Sequence, residues 1–214
     1  ELPIVQRHDI PASSDPATIL SQLTPDTTDR GALLNRLIAQ LAAFGATLND
    51  QAQFDRDLVS GLPNSFAARR LLTEMMRSAL SQNYPCSMLL INGDNLRRYN
   101  ELSYVAGDQM IHDLATTLRE QLRPSDLLAR WDVGDQFLVV LPQTCVSGAA
   151  ALAERLRQRV SERSQLWPFP VTISVGVASM PQRGRDVDAM LNLAVAALAQ
   201  AKTNGKNRVV AQVG

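Results

Sequence analysis

Two carboxylates, Asp132 and Asp135, fall within one short run of turn formers, Asp132-Val133-Gly134-Asp135, whose glycine can take positive φ. Read alone they are turn residues on a solvated hairpin. Just upstream stand Arg123 and Asp126 in an Arg-x-x-Asp spacing, which as a bare pattern is a surface ion pair. Other reactive residue types offer less. Cys86 and Cys145 lack metal-ligand spacing and read as small buried apolar residues, and His8 and His112 each stand alone. There is no nucleophile triad, P-loop or zinc pattern.

The elements that must hold these groups follow from periodicity. Leu127 to Trp131 is one apolar run and Gln136 to Leu141 a second, rich in β-branched residues, so the carboxylates sit on the turn of a β-hairpin. Around it the pattern alternates: a helix capped by Asn64 and running to about Ser81, a strand over 86–92, and a helical stretch over 95–122 with a break near Gly107. After the hairpin come a helix over 147–161, a strand over 171–178, an alanine-rich helix over 186–203 and a closing strand over 207–213. Two β-α-β units around a hairpin make an α+β, ferredoxin-like core with a mostly antiparallel sheet.

Ahead of this core, residues 1–28 are rich in Pro, Ser, Thr and Asp and read as a flexible lead-in. Thr27, Thr28 and Asp29 are N-cap candidates for a helix over 29–56. Leu34, Leu37, Leu41, Phe44, Leu48, Gln51, Asp55 and Leu58 recur at spacings of three and four, a heptad register loosened by Gly45, Gln51 and Asp55. Two readings stay open: an amphipathic helix packed on its own domain, or a parallel dimer stalk.

Composition narrows the classes. Hydrophobic residues make up 45%, which suits a packed core. The 21 basic and 21 acidic residues cancel, removing a global electrostatic case for nucleic acid or an anionic membrane surface. No apolar stretch approaches the ~18–20 residues that span a bilayer. A reduced, cytoplasmic setting is the simplest expectation. The chain begins at Glu1 rather than methionine, so the expectation is also a piece of something longer, the cytoplasmic part of a membrane-attached or sensor-bearing protein.

Four motifs, in order, carry a family resemblance. Asp57-Leu58-Val59-Ser60-Gly61-Leu62-Pro63-Asn64 resembles the Asp-x-Leu-Thr-Gly-Leu-Pro-Asn turn that opens GGDEF domains, the diguanylate cyclase domains of bacterial signalling. Val133-Gly134-Asp135-Gln136-Phe137 stands where that family writes Gly-Gly-Asp/Glu-Glu-Phe. Val171-Thr172-Ile173-Ser174-Val175-Gly176-Val177-Ala178 resembles its Val-Thr-x-Ser-x-Gly-x-Ala strand. Ala201-Lys202-Thr203-Asn204-Gly205-Lys206-Asn207-Arg208 resembles its Ala-Lys-x-x-Gly-Arg-Asn-Arg ending. The resemblance covers residues 57–210 and implies a palm-type nucleotidyl cyclase fold, with the domain running over 57–214.

It also implies a reaction: two GTP molecules, one on each half of a dimer, joined into cyclic di-GMP. Such phosphoryl transfer needs magnesium to neutralise phosphates and align the attack, and magnesium wants charged oxygen ligands. Where the family writes Asp-x-Asp-x-Phe-Lys-x-x-Asn, this chain writes Asn92-Gly93-Asp94-Asn95-Leu96-Arg97-Arg98-Tyr99-Asn100, so the leading metal ligand becomes the neutral amide of Asn92. Asp135 matches a retained carboxylate, with Asn92 or Asp94 completing the metal site. Gln136 replaces the following glutamate and can neither carry charge nor accept a proton. The turn is one residue longer, Asp132 being extra between Trp131 and Val133.

The remaining positions carry over in the same way. Guanine recognition is implied at Asn100 and Asp108, phosphate contacts at Lys202 and Lys206, though the segment 101–106 is one residue short and lacks the usual Gly-His. Arg123 and Asp126 match the family's inhibitory site, where arginine grips guanine and phosphate of cyclic di-GMP and aspartate takes guanine N–H groups. Arg155 matches the secondary arginine of that site. The expectation is a degenerate GGDEF domain, inactive or very weak, that binds cyclic di-GMP at Arg123, Asp126 and Arg155 and passes its occupancy to a partner or a neighbouring module. The alternatives are an active diguanylate cyclase, with magnesium only if the GTP site is retained, and a dimerisation scaffold. Partners expected are cyclic di-GMP, GTP if its site survives, a second copy of the chain and an upstream sensor or regulatory module; nucleic acid is not.

Overall fold

A computed structural model describes residues 55–131, 134–179 and 187–213. The lead-in, nearly all of the 29–56 helix, and Asp132 and Val133 lie outside the described residues. The elements are α1 (Ser65–Ser81), β1 (Cys86–Asp94), α2 (Arg97–Leu102), α3 (Tyr104–Arg119), β2 (Leu127–Arg130), β3 (Gln136–Pro142), α4 (Val146–Arg163), β4 (Thr172–Ser179), α5 (Val187–Thr203) and β5 (Val209–Val213).

The five strands form one sheet in the order β2-β3-β1-β4-β5. Every described pairing is antiparallel except that of β4 with β5, so the expected α+β, mostly antiparallel architecture is what forms. All nine residues of the central strand β1 are buried. Its side chains alternate between two apolar layers. Leu89 and Ile91 pack with Met110, Leu114 and Leu118 of α3 and with Leu156 and Val160 of α4. Met88 and Leu90 face Leu72 and Met76 of α1 and Met190 and Leu198 of α5. A strand covered on both faces reads as a continuous apolar run, which is why it was legible.

Local signals place the helices. The Asn64 side chain accepts from the backbone N–H groups of Phe66 and Ala67 and starts α1, as its residue type predicts. The opening turn before it is closed by Asp57, whose Oδ1 accepts from the Ser60 backbone (2.8 Å) and hydroxyl (2.6 Å). The turn is docked on the sheet by the Arg130 N–H, which donates to the Pro63 carbonyl at 2.8 Å.

Three expectations need correcting. The helical stretch after β1 breaks at Ser103, not near Gly107: Ser103 is extended and its hydroxyl caps the Ala106 N–H at 3.1 Å, while Gly107 lies inside α3. Gly107 is small because Asn100 packs on it; a Cβ there would overlap Asn100 Oδ1. The closing strand starts at Val209, since Lys206 and Asn207 hold positive φ. Cys145 is exposed at the N-terminal cap position of α4, whereas Cys86 is buried as expected.

Candidate functional site

The end of β1 and the β2–β3 hairpin meet at one place because the register puts Asn92 opposite Gln136 on β3 and opposite Ser174 on β4. The hairpin closes with Arg130 opposite Phe137 and a Trp131 N–H to Gln136 carbonyl bond of 3.0 Å. Gly134 has φ +111°, so it takes the conformation the turn was expected to need. The turn then folds back on β1, where the Gly93 N–H donates to the Asp135 carbonyl at 3.2 Å.

The polar groups gathered here are paired with one another. The buried Asn92 amide nitrogen donates to Asp135 Oδ1. Asp94, also buried, accepts from the hydroxyls of Thr172 and Ser174, each at 2.8 Å, and from the Asn207 N–H at 3.0 Å. Both of its oxygens are thus engaged in tying β1 to β4 and to the loop before β5. Lys206 Nζ donates to Asn95 Oδ1 at 2.7 Å, while Lys202 stands half-buried in the last turn of α5. Asn100 on α2 lies against Gly107, which brings it beside Asp108 on the exposed side of α3.

Arg130 is the residue that sequence reading missed. It ends β2 with its guanidinium over the Phe137 ring, Cζ 4.9 Å from the centroid. Its Nη1 is out of solvent and has no hydrogen-bond partner among the described residues. Burial pulls its pKa down, and the carboxylates of Asp57, Asp135 and Asp108 push it back up. It thus lies among the opening turn, the hairpin and α3. A lone cation at the end of an apolar strand beside a carboxylate-bearing turn was the available signal.

A second cluster forms before β2. The Asp126 N–H donates to the Arg123 carbonyl at 3.0 Å, and Asp126 Oδ2 accepts from the Arg123 N–H at 2.9 Å. Asp126 is buried, while Arg123 is exposed. The aspartate therefore holds the arginine's backbone rather than its guanidinium, and the two do not form the surface ion pair that the bare pattern suggested. Among the described residues the Arg123 guanidinium has no ion-pair partner. Arg155 reaches across from α4, its Nη2 donating to the Gln121 carbonyl at 3.0 Å. The three residues expected to act together are thus held at one corner of the domain.

The donor set at the first cluster was tested for magnesium. The ion prefers six near-octahedral oxygens, several of them water, with one or two carboxylates. Both oxygens of Asp94 already accept hydrogen bonds from protein donors, and Asn92 presents N–H to Asp135. Among the described residues no three His, Cys, Asp or Glu side chains are grouped to hold a metal ion. The described residues do not fit the ion.

The sequence model of the GGDEF family, described as "Diguanylate cyclase, GGDEF domain", matches residues 54–208, and the chain belongs to that family. Diguanylate cyclase DgcM of Escherichia coli is 35% identical over 139 residues, 64% of this chain and 33% of that protein. Response regulator PleD of Caulobacter vibrioides is 32% identical over 164 residues, 72% of this chain and 35% of its own length. The chain spans about a third of the length of these curated relatives. The GGDEF domain of DgcB from Caulobacter crescentus, solved in complex with c-di-GMP, superposes with a TM-score of 0.69 at 24% identity, covering 73% of this chain and 95% of that one. That likeness is one of fold.

Proposed function

We propose that this GGDEF domain of cyclic di-GMP signalling binds cyclic di-GMP through Arg123, Asp126 and Arg155 and makes little or none of it. The observation that carries the reading is the state of Arg123: its backbone is fixed by a buried aspartate while its guanidinium has no ion-pair partner among the described residues. A planar, permanently charged fork on a fixed backbone suits bidentate contact with phosphate or a guanine edge. Arg155, anchored beside it by one nitrogen, keeps further donors for the same ligand.

Against synthesis stand the two neutral amides, Asn92 and Gln136, at positions where the family resemblance implies charge. A centre that stabilises transferring phosphate by metal charge loses about tenfold in rate for each ~1.4 kcal/mol of lost stabilisation. A binding site at Arg123 carries no such penalty. The second reading, a weak cyclase using Asp135, is favoured by the retained Asn100–Gly107 contact beside Asp108 and by relatives named as cyclases.

Calorimetric titration of the full chain with cyclic di-GMP, beside incubation with GTP and magnesium followed by chromatography, tests this. Binding that weakens at least about 100-fold in Arg123→Ala, the scale of two charge-assisted hydrogen bonds, with no product from GTP, is the expected result. Product that disappears in Asp135→Ala establishes the cyclase instead.

A further inference from the structure

The resemblance places a divalent cation at the end of β1, between the strand and the hairpin turn. In this chain the same space is closed by the protein itself. The Asn92 amide spans from β1 to Asp135, and the Asp94 carboxylate is turned to β4 and the closing loop. Nearby, the one lysine at a phosphate-contact position before β5 is engaged by Asn95. A second carboxylate at position 92 would set two negative charges face to face where the chain now sets an amide against one carboxylate.

We infer that this centre is metal-independent: the Asn92–Asp135 hydrogen bond satisfies the carboxylate that a divalent cation would otherwise neutralise. The inference deepens the inactive half of the proposed function and does not depend on dinucleotide binding at Arg123. Its physical basis is competition. To enter, magnesium must shed bound water and break the Asn92–Asp135 amide–carboxylate hydrogen bond. In return it gains one anionic ligand, because both oxygens of Asp94 are already engaged, Oδ1 by Ser174 and Oδ2 by Thr172 and Asn207. A hard dication that dehydrates reluctantly does not make that exchange.

The test uses Mn²⁺ alone as a spectroscopic stand-in for magnesium, added to the full chain, with free Mn²⁺ read by electron paramagnetic resonance. The wild-type chain is expected to leave the free-ion signal unchanged. Asn92→Asp, which places two carboxylates face to face, is expected to deplete it with at least tenfold higher affinity. That variant's melting temperature should fall in EDTA and recover in MgCl₂, whereas the wild type should melt identically in both. Depletion by the wild type that is abolished by Asp135→Asn or Asp132→Asn overturns the inference, and this arm needs no variant to gain anything. A folded Asn92→Asp chain that acquires no metal affinity overturns it as well. Titration of the wild type with cyclic di-GMP in EDTA reports the receptor reading separately, so failure of one is not failure of the other.

Discussion

Asp94 separates a structural carboxylate from a metal ligand, and the size of its effect follows from its partners. Removing it in Asp94→Ala leaves Thr172 Oγ1, Ser174 Oγ and the Asn207 N–H without their acceptor. Ser174 is fully buried, so water cannot take the place of the lost oxygen there. A hydrogen bond to a charged group contributes about 1.5–3 kcal/mol, and leaving a buried donor unpaired costs about as much. Allowing for non-additivity among three bonds to one group, Asp94→Ala should destabilise by about 4–5 kcal/mol. That is a large fraction of the ~5–15 kcal/mol that holds a domain together.

The isosteric Asp94→Asn behaves differently. Its amide oxygen, set where Oδ2 now lies, still accepts from Thr172 and Asn207. Its NH₂ then faces the Ser174 hydroxyl, which can turn and accept. Only the charge is lost, about 1–2 kcal/mol. Urea denaturation followed by circular dichroism at neutral pH measures both variants, with the slope compared to confirm two-state behaviour. An Asp94→Ala chain within about 1 kcal/mol of wild type would refute the brace. So would an Asn variant that costs as much as the Ala variant.

Two further outcomes follow from burial. At Gly176 on β4 a Cβ would overlap the Ala194 carbonyl oxygen and the Leu198 amide nitrogen and come within 3.0 Å of Leu198 Cα, all backbone of α5. Gly176→Ala should therefore push the helix off the sheet, cost about 2–3 kcal/mol and lower the melting temperature by about 5–10 °C, read by a thermal melt. Burial raises the Cys86 thiol from near 9.0 to about 11. The folded chain keeps that proton longer than the unfolded one, so stability is fully present below pH 9 and falls by about 2–3 kcal/mol as pH rises to 11. Stability measured by urea denaturation across that window should lose this component in Cys86→Ala. Cys145 provides the contrast: the Ser147 hydroxyl and then the Gly148 N–H lower its pKa, so it should react with a thiol reagent in the native state while Cys86 waits for unfolding.

How much of this was legible depends on whether a residue's role is set locally. Asn64 as a cap, the hairpin turn around Gly134, and β1 as a buried strand are written in short windows of sequence. So are the positions of Arg123 and Asp126, because a turn of four residues builds that corner and only Arg155 joins it from elsewhere. Asp94, Lys206 and Arg130 were not legible, since each is defined by a partner many residues away: β4 and the closing loop for Asp94, Asn95 for Lys206, and Asp57, Asp108 and Asp135 for Arg130. The misplaced helix break has the same origin. Gly107 reads as a breaker, but its small size serves Asn100, and a serine hydroxyl four residues earlier ends the first helix.

The same contrast explains how one site can change while the other is kept. The corner at Arg123 depends on contacts inside its own turn and one arginine, whereas the centre at Asn92 draws on β1, β3, β4 and the loop before β5. An amide at position 92 finds Asp135 as its acceptor, and the sheet register that brings them together is fixed by apolar residues on either side. The substitution therefore leaves the fold and the Arg123 corner intact while changing the charge at the centre. Membership of the GGDEF family settles the fold and says little about catalysis by this chain. On the proposed reading, activity turns on the charges at positions 92, 135 and 136, and two of those three side chains are neutral.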